Sequence, residues 1–473
     1  MKHTIDDSQL PLQSEEFDFR VRQETELLKT WFQERYFDDE GFELGSEIEF
    51  LLLNKLYEPV AGNIKFVKQV LNPRVIVECG AAQLEINTKH YPLAKNCLNL
   101  LHQHITQIWG ECTHRAKQNK HHLILIGSLP GDTDLYKKRN YVTPKPRYQL
   151  LNNSYSAAHG NNFSIILSGY EKLTLENALP LCISGLMSAF QLHLKVPFSR
   201  SVDIYNTIQV LSAPMVALAA NSPYFNGKDI YHESRIFLFK NFARASHYPP
   251  GLKYISLFGD SYLTDSFWDL YKQNLNYYPR LLEEVWRDAS IEEMIHLRQL
   301  NSVVHRWNRP ILDFQNQKPH LRIEHRIPSA GPTLLDMVAN AAFFYGLVNY
   351  FSCQPLLIQH LIPFATAKKN FYTAAQHGLD ARITWTNEQS ITVLDLLEEL
   401  LPLAELGLSQ LEIDKQEIDY YLSVIKSRIT LKQNGATWQR KFVQRYGRDF
   451  TNLLAVYMEN QDMELPVAQW KIG

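Results

Sequence analysis

Three short segments of this sequence place polar or charged side chains at every second position. In Gly45-Ser46-Glu47-Ile48-Glu49-Phe50, Glu47 and Glu49 alternate with Ile48 and Phe50. In Gln83-Leu84-Glu85-Ile86-Asn87 the polar residues alternate with Leu84 and Ile86. In Leu321-Arg322-Ile323-Glu324-His325-Arg326-Ile327, Arg322, Glu324 and Arg326 alternate with Ile323, His325 and Ile327. On a strand, i and i+2 project to one face, so each segment presents carboxylates on one side and a packing surface on the other. Glu78 is a further candidate at the edge of the second segment. A single half-exposed strand alternates in the same way, with water on its polar side. Several glutamates brought face to face repel, and burying them unpaired is costly. A hard divalent cation removes that cost, and Mg2+ shares its octahedron between a few protein oxygens, water and phosphate. A nucleotide triphosphate site on such a sheet needs both parts present here, glutamates for the metal and arginines for the transferring phosphate.

These strands must be held by what lies between them. The pattern predicts a helix over Arg20–Tyr36, a strand over Glu43–Leu53, and a second over Val75–Thr88, interrupted near Gly80. A helix follows at Leu93–Lys117, then strands at His122–Leu129 and Asn161–Ser168, and helices at Leu175–Leu194 and Ser201–Ala220. Tyr248 to Asp288 is aromatic-rich and carries no readable period; Leu321–Ile327 is a strand, and from Thr333 onward the pattern is helical. Scattered strands among long helices, without a βαβ rhythm, predict an α+β fold with an antiparallel sheet.

The chain has 473 residues, 45% hydrophobic and 21% charged, which excludes a mostly disordered polypeptide. Its 48 Lys and Arg against 50 Asp and Glu leave a net charge of -2, so neither nucleic acid nor an anionic membrane is the expected partner. The basic run Lys137-Lys138-Arg139 is too short to alter that. Five cysteines without a C-x-x-C pair support neither a disulfide framework nor a cysteine-rich zinc site. Met1 to Phe19 is polar and acidic, unlike a secretory signal, and the uncharged stretch between Asp336 and Lys368 is broken by polar residues and prolines. A cytoplasmic protein is expected.

The motifs together resemble the glutamate–cysteine ligases and related carboxylate–amine ligases. Gly45 to Phe50 is similar to the family's opening G-x-E-x-E-F, and Glu78 with Gln83 to Thr88 to its second acidic strand. Arg147-Tyr148 and Asn162-Phe163-Ser164 resemble R-Y and H-x-N-F-S; Ala220 to Phe225 with Ser234-Arg235 resembles A-N-S-P-[FY] and S-x-R. Arg306 to Pro310, Leu321 to Arg326 and Gly378 to Ala381 resemble W-x-R-P, E-x-R and G-L-D-A, all in the family's order.

The resemblance implies a glutamine-synthetase-like fold, a curved antiparallel sheet forming a funnel flanked by helices. Residues 1–18 are expected to be a flexible tail by their polarity and low apolar content, the motifs fall in a catalytic domain over 19–390, and a helical C-terminal extension over 391–473 lies outside them. The implied reaction phosphorylates the γ-carboxylate of glutamate with ATP and lets an amine, cysteine by default, displace phosphate, with Mg2+ (or Mn2+) required, as in glutathione biosynthesis. Glu47, Glu49, Glu78, Glu85 and Glu324 would be metal ligands. Arg235 and Arg326 would meet the phosphates or the acyl phosphate, Arg322 would assist in binding, and Arg147 with Tyr148 would bind substrate. Gly160 stands where the family has a metal histidine, with His159 one residue earlier. A bulge would let His159 serve as the ligand; otherwise it is a loop histidine. Another amine acceptor, a non-catalytic nucleotide-binding relative and phosphoryl transfer to a guanidino group are the competing readings. Leu396, Leu397, Leu400, Leu401 and Leu403 call for packing of the extension, on the catalytic body or on a second copy of the chain.

Overall fold

Period-two alternation builds the centre of the molecule, an eight-stranded sheet whose neighbours all run antiparallel. The computed structural model describes residues 10–160, 163–243 and 257–472. Its strands are β1 (Glu43–Leu53), β2 (Val75–Val77), β3 (Gln83–Asn87), β4 (Tyr91–Pro92), β5 (His122–Ile124), β6 (Ile165–Ser168), β7 (Lys172–Leu175), β8 (Phe190–Val196), β9 (Tyr224–Phe225), β10 (Lys228–Asp229), β11 (Asn308–Gln315), β12 (Lys318–His325), β13 (Arg382–Thr384) and β14 (Ser390–Thr392). The helices before the last sheet strands are α1 (Leu10–Glu34), α2 (Asn63–Val70), α3 (Cys97–Gln118), α4 (Pro146–His159), α5 (Pro180–Ser184), α6 (Ser201–Leu218), α7 (Ser234–Ala243), α8 (Trp268–Tyr277) and α9 (Ile295–Ser302). After them come α10 (Leu334–Ser352), α11 (Ile358–Leu361), α12 (Phe364–His377), α13 (Val393–Gln410), α14 (Lys415–Thr430), α15 (Gly435–Tyr446) and α16 (Phe450–Asp462). The sheet runs β11-β12-β8-β1-β3-β2, and β4 and β5 also pair with β1.

Register decides which side chains meet. Glu47 lies opposite Gln191 on β8 and Asn87 on β3, Glu49 opposite Glu85, and Glu324 opposite both His193 and Arg309. One face thus collects the polar residues of five strands. Ile48, Phe50, Leu84, Ile86, Leu192, Leu194 and Ile323 line the other face, all buried. Each contributes roughly 1.5–3 kcal/mol of burial. The helix α10 lies beneath that apolar face: the Tyr345 hydroxyl donates to the His193 carbonyl at 3.0 Å, and His325 stacks on Phe344 at 4.4 Å. Burial pushes the His325 imidazole down to about 3, so it sits neutral in the core, on the apolar side where the alternation places it. This α10 carries the first part of the uncharged stretch after Asp336, and 89% of its most apolar window is buried inside the protein.

Three expectations change. Residues 10–18 are not loose: α1 starts at Leu10, Phe17 is fully buried, and Glu16 and Asp18 pair with Arg287 and Arg280. Val75–Thr88 is a hairpin, with Val75–Val77 folding back on Leu84–Ile86. The helix expected over Leu175–Leu194 is short, Pro180–Ser184, and the residues after it form β8, a central strand. The apolar residues before β8 extend its pattern into one that resembles a buried helix. The last helices dock on the body: Arg428 on α14 pairs with buried Asp336 at 2.8 Å and donates to Asn340 at 2.6 Å. The unreadable stretch after Tyr248 falls outside the described residues as far as 256; α8 lies beyond it.

Candidate active site

The polar face of the sheet becomes a site because three strands bring unlike groups to one point. Glu47 of β1, His193 of β8 and Glu324 of β12 each offer a donor atom, all within 4.8 Å of one another. Among the described residues no other trio of His, Cys, Asp or Glu is that close. His193 Nε2 lies 3.2 Å from Glu47 and 3.9 Å from Glu324, yet neither of its ring nitrogens makes a well-aligned hydrogen bond. A buried imidazole without a hydrogen-bond partner, set between two carboxylates, fits a divalent cation.

Glu324 is fully buried and binds two arginines. Arg309 of β11 donates to both of its oxygens, and Arg326 donates to Oε1 at 2.7 Å. Burial works against its charge, but Arg309 and Arg326 outweigh it and hold the carboxyl far below the usual range. Three of its roughly four lone-pair positions are taken, which leaves one for a metal. Burial likewise opposes the Glu47 charge, and His193 and Arg326 overcome it, keeping Glu47 below its ordinary value.

Glu49, Glu78 and Glu85 behave oppositely. Glu49 accepts from the Ala189 amide at 2.7 Å and from Gln191 at 2.9 Å, but burial still pushes it up. Burial and the charge of Glu49 push Glu78 up to about 7; burial and the charges of Glu47, Glu78 and Glu49 push Glu85 well above the carboxylate range. These three form an acidic wall beside the trio, their carboxyls raised by burial and by one another's charge. A cation there would offset both effects and favour the charged carboxylates.

The arginines divide into distinct roles. Arg326 is half-buried and faces the carboxylates, donating to Gln191 as well as Glu324. Arg322, four residues earlier and within β12, meets Asp313 at 3.5 Å and lines a cavity of about 150 Å³ with Glu43, Glu47, His193, Lys195 and His320. Arg235, expected to meet the phosphates, is buried at the start of α7 and spends its donors on Glu233 and two backbone carbonyls. Arg147 is exposed at the start of α4 and donates to Ser302 Oγ at 2.9 Å, next to the Ser302 carbonyl that holds Arg309. Tyr148 donates to the Val77 carbonyl at 3.1 Å, beneath the hairpin carrying Glu78. Burial and the Glu78 charge raise its phenol, so it stays protonated.

His159 ends α4 with its ring buried against Phe163, 3.9 Å between centroids; the segment that follows enters the separate β6–β7 pair. The histidine that stands between the carboxylates is His193. Its signal is in the sequence: Gln191, His193 and Lys195 alternate with Leu192, Leu194 and Val196. Arg309 carries the same signal, alternating with Pro310 and Leu312 on an edge strand that tolerates proline.

A curved antiparallel sheet that gathers carboxylates, an imidazole and arginines on one face is a glutamine-synthetase-like fold, the scaffold of a class of ligases. This chain belongs to glutamate–cysteine ligase family 2, whose family model matches residues 43–464. It is similar to the glutamate–cysteine ligase of Francisella tularensis solved in complex with AMP, at 11% identity and a TM-score of 0.59, over 92% of this chain and 91% of that one. It is also similar to a bifunctional glutathione synthetase from Pasteurella multocida, at 11% identity and a TM-score of 0.50, covering 93% of this chain and 55% of that one. Compared with curated protein sequences, the chain has no match.

Proposed function

We propose that this protein is an ATP-dependent ligase that activates the γ-carboxylate of glutamate and joins it to an amine, cysteine being the default acceptor. The observation that carries this reading is the Glu47–His193–Glu324 trio with Arg326 at its edge. Glu47, His193 and Glu324 would hold Mg2+, with Glu49, Glu78 and Glu85 available beside them; the imidazole makes Mn2+ a natural substitute. The bound cation supplies positive charge that screens the triphosphate from the carboxylate attacking it.

The residues of the chain then have separable tasks. Arg322 and Lys195 line the cavity beside the trio and suit the polyphosphate of ATP. Arg326, anchored by Glu324 and Gln191, has guanidinium donors beside the point where the γ-phosphoryl group would transfer. A carboxylate oxygen of glutamate attacks the γ-phosphorus and ADP leaves; the amine nitrogen then attacks the acyl carbon, phosphate leaves and the amine loses a proton. Activation is needed because oxide is a poor leaving group. The acidic wall favours a cation over a second anion, which suits metal ions or the ammonium form of an amine substrate.

The test is an amine panel with ATP, Mg2+ and glutamate. ADP and phosphate are expected only when every component is present, with cysteine or another single amine giving the fastest turnover. AMP as product, or phosphate release that no amine changes, overturns the reading.

A further inference from the structure

Arg235 sits in the motif that suggests phosphate contact, yet its guanidinium faces inward. It is 1% exposed. Its Nε donates to Glu233 at 3.2 Å, Nη1 to the Arg326 carbonyl at 3.3 Å and Nη2 to the Ile327 carbonyl, while the group lies over Trp307 at 5.7 Å. Every arm of the fork is engaged within the protein. The two carbonyls belong to the residue that faces the carboxylates and to its neighbour.

Glu233 is equally committed. Its carboxylate, 1% exposed, accepts from the Asn221 amide at 3.0 Å, Ser222 Oγ at 2.6 Å and Ser329 Oγ at 2.8 Å, besides Arg235. Ser329 lies two residues beyond Ile327, so one buried carboxylate grips the chain just after β12 both directly and through Arg235. Gly127 packs against the same point, where an added Cβ would meet Ser329 Oγ at 2.2 Å. At the other end of the turn, the Arg326 amide donates to the Trp307 carbonyl at 2.9 Å.

We infer that Glu233 and Arg235 are positioning residues: a buried ion pair that clamps the backbone of Arg326 and Ile327 and so aims the Arg326 guanidinium, with Arg235 touching no phosphate. The inference rests on the ligase reading for its kinetic consequence, but the clamp itself is a structural claim. Three donors in a planar fork can hold two successive carbonyls and a carboxylate together; an ammonium point charge cannot reproduce that geometry. Displacement of Arg326 would slow the chemical step and leave ground-state binding alone.

The experiment compares wild type with Arg235→Lys and Glu233→Gln in steady-state ADP formation and in amide hydrogen exchange over residues 322–330. In each variant kcat is expected to fall by about 10- to 100-fold with KM for ATP and for glutamate within about twofold. Exchange is expected to accelerate within 326–329 while the amides of β8 keep their protection. A several-fold rise in KM for ATP with kcat retained would instead make Arg235 a phosphate ligand and overturn the clamp. Wild-type kcat in Arg235→Lys with unchanged exchange overturns it as well. If Glu233→Gln does not fold, the Arg235→Lys pair of measurements decides alone. If wild type forms no ADP with any amine, the ligase reading fails, and exchange in the same variants still decides the clamp.

Discussion

Glu324 and Glu47 reach the same point with different surroundings, and that difference is testable. Glu324 is fully buried and neutralises Arg309 and Arg326; Glu47 is partly open, its side chain 23% exposed, and has other acids nearby. Glu324→Gln leaves two arginines without their anion and is expected to cost about 3–5 kcal/mol in urea unfolding as well as abolishing turnover. Glu47→Gln is expected to abolish turnover with less than about 1 kcal/mol lost, because the attraction to His193 and Arg326 that it forfeits is partly offset by the burial cost and the repulsion from Glu324 that it relieves. Equal stability losses in the two variants would contradict this division. The alternation of Arg322, Glu324 and Arg326 was legible in the sequence because a strand's faces follow from spacing alone. Which arginine binds which carboxylate was not, since Arg309 and Glu324 meet only through the β11–β12 register.

At the scale of elements, the site depends on the hairpin of β2 and β3, whose turn carries Glu78. Gly80 stands there against Gly185, and a Cβ on Gly80 would come within 2.4 Å of the Gly185 Cα. Backbone cannot yield as a flexible side chain does, so Gly80→Ala is expected to cost about 1–3 kcal/mol and to lower turnover by displacing Glu78. Gly110, exposed within α3 with nothing within 4 Å of an added Cβ, is the control. Gly110→Ala is expected to stabilise by roughly 0.5–1 kcal/mol with activity unchanged, by removing a helix-interior glycine. Thermal unfolding and the ADP assay read both. The misread element is β8: its own alternation is clear, but the apolar residues before it extend the pattern into something helix-like, and pairing with β1 and β12 settles the matter.

Across the whole molecule, the C-terminal helices complete the fold. Gln461 on α16 bonds the Leu125 amide at 2.8 Å and the Leu123 carbonyl at 3.2 Å, and Tyr457 donates to the Leu125 carbonyl at 2.7 Å, so α16 satisfies backbone at and beyond β5. The family match, running to residue 464, includes these helices. Where they meet the body, burial pushes Glu464 up to about 7, with Asp336 and Asp462 adding to it. A carboxyl raised on folding binds its proton more tightly in the folded state. Its contribution is therefore present below about pH 4.5 and lost as pH rises through about 7. Glu464→Gln is expected to match wild type at low pH and to exceed it by about 1–2 kcal/mol at pH 8, after allowing for solvent screening. Unfolding curves at the two pH values check it; an equal shift at both would show that charge is not the cause.

The sequence alone determined the chemistry of each strand face, the antiparallel sheet and the family, because alternation and motif order are local properties of the chain. Tertiary structure decided which faces meet. It put His193 between Glu47 and Glu324, turned Arg235 inward onto the backbone, and placed Arg309 on Glu324. The reason is register: partners far apart in sequence become neighbours only through strand pairing, and no spacing within one segment encodes that.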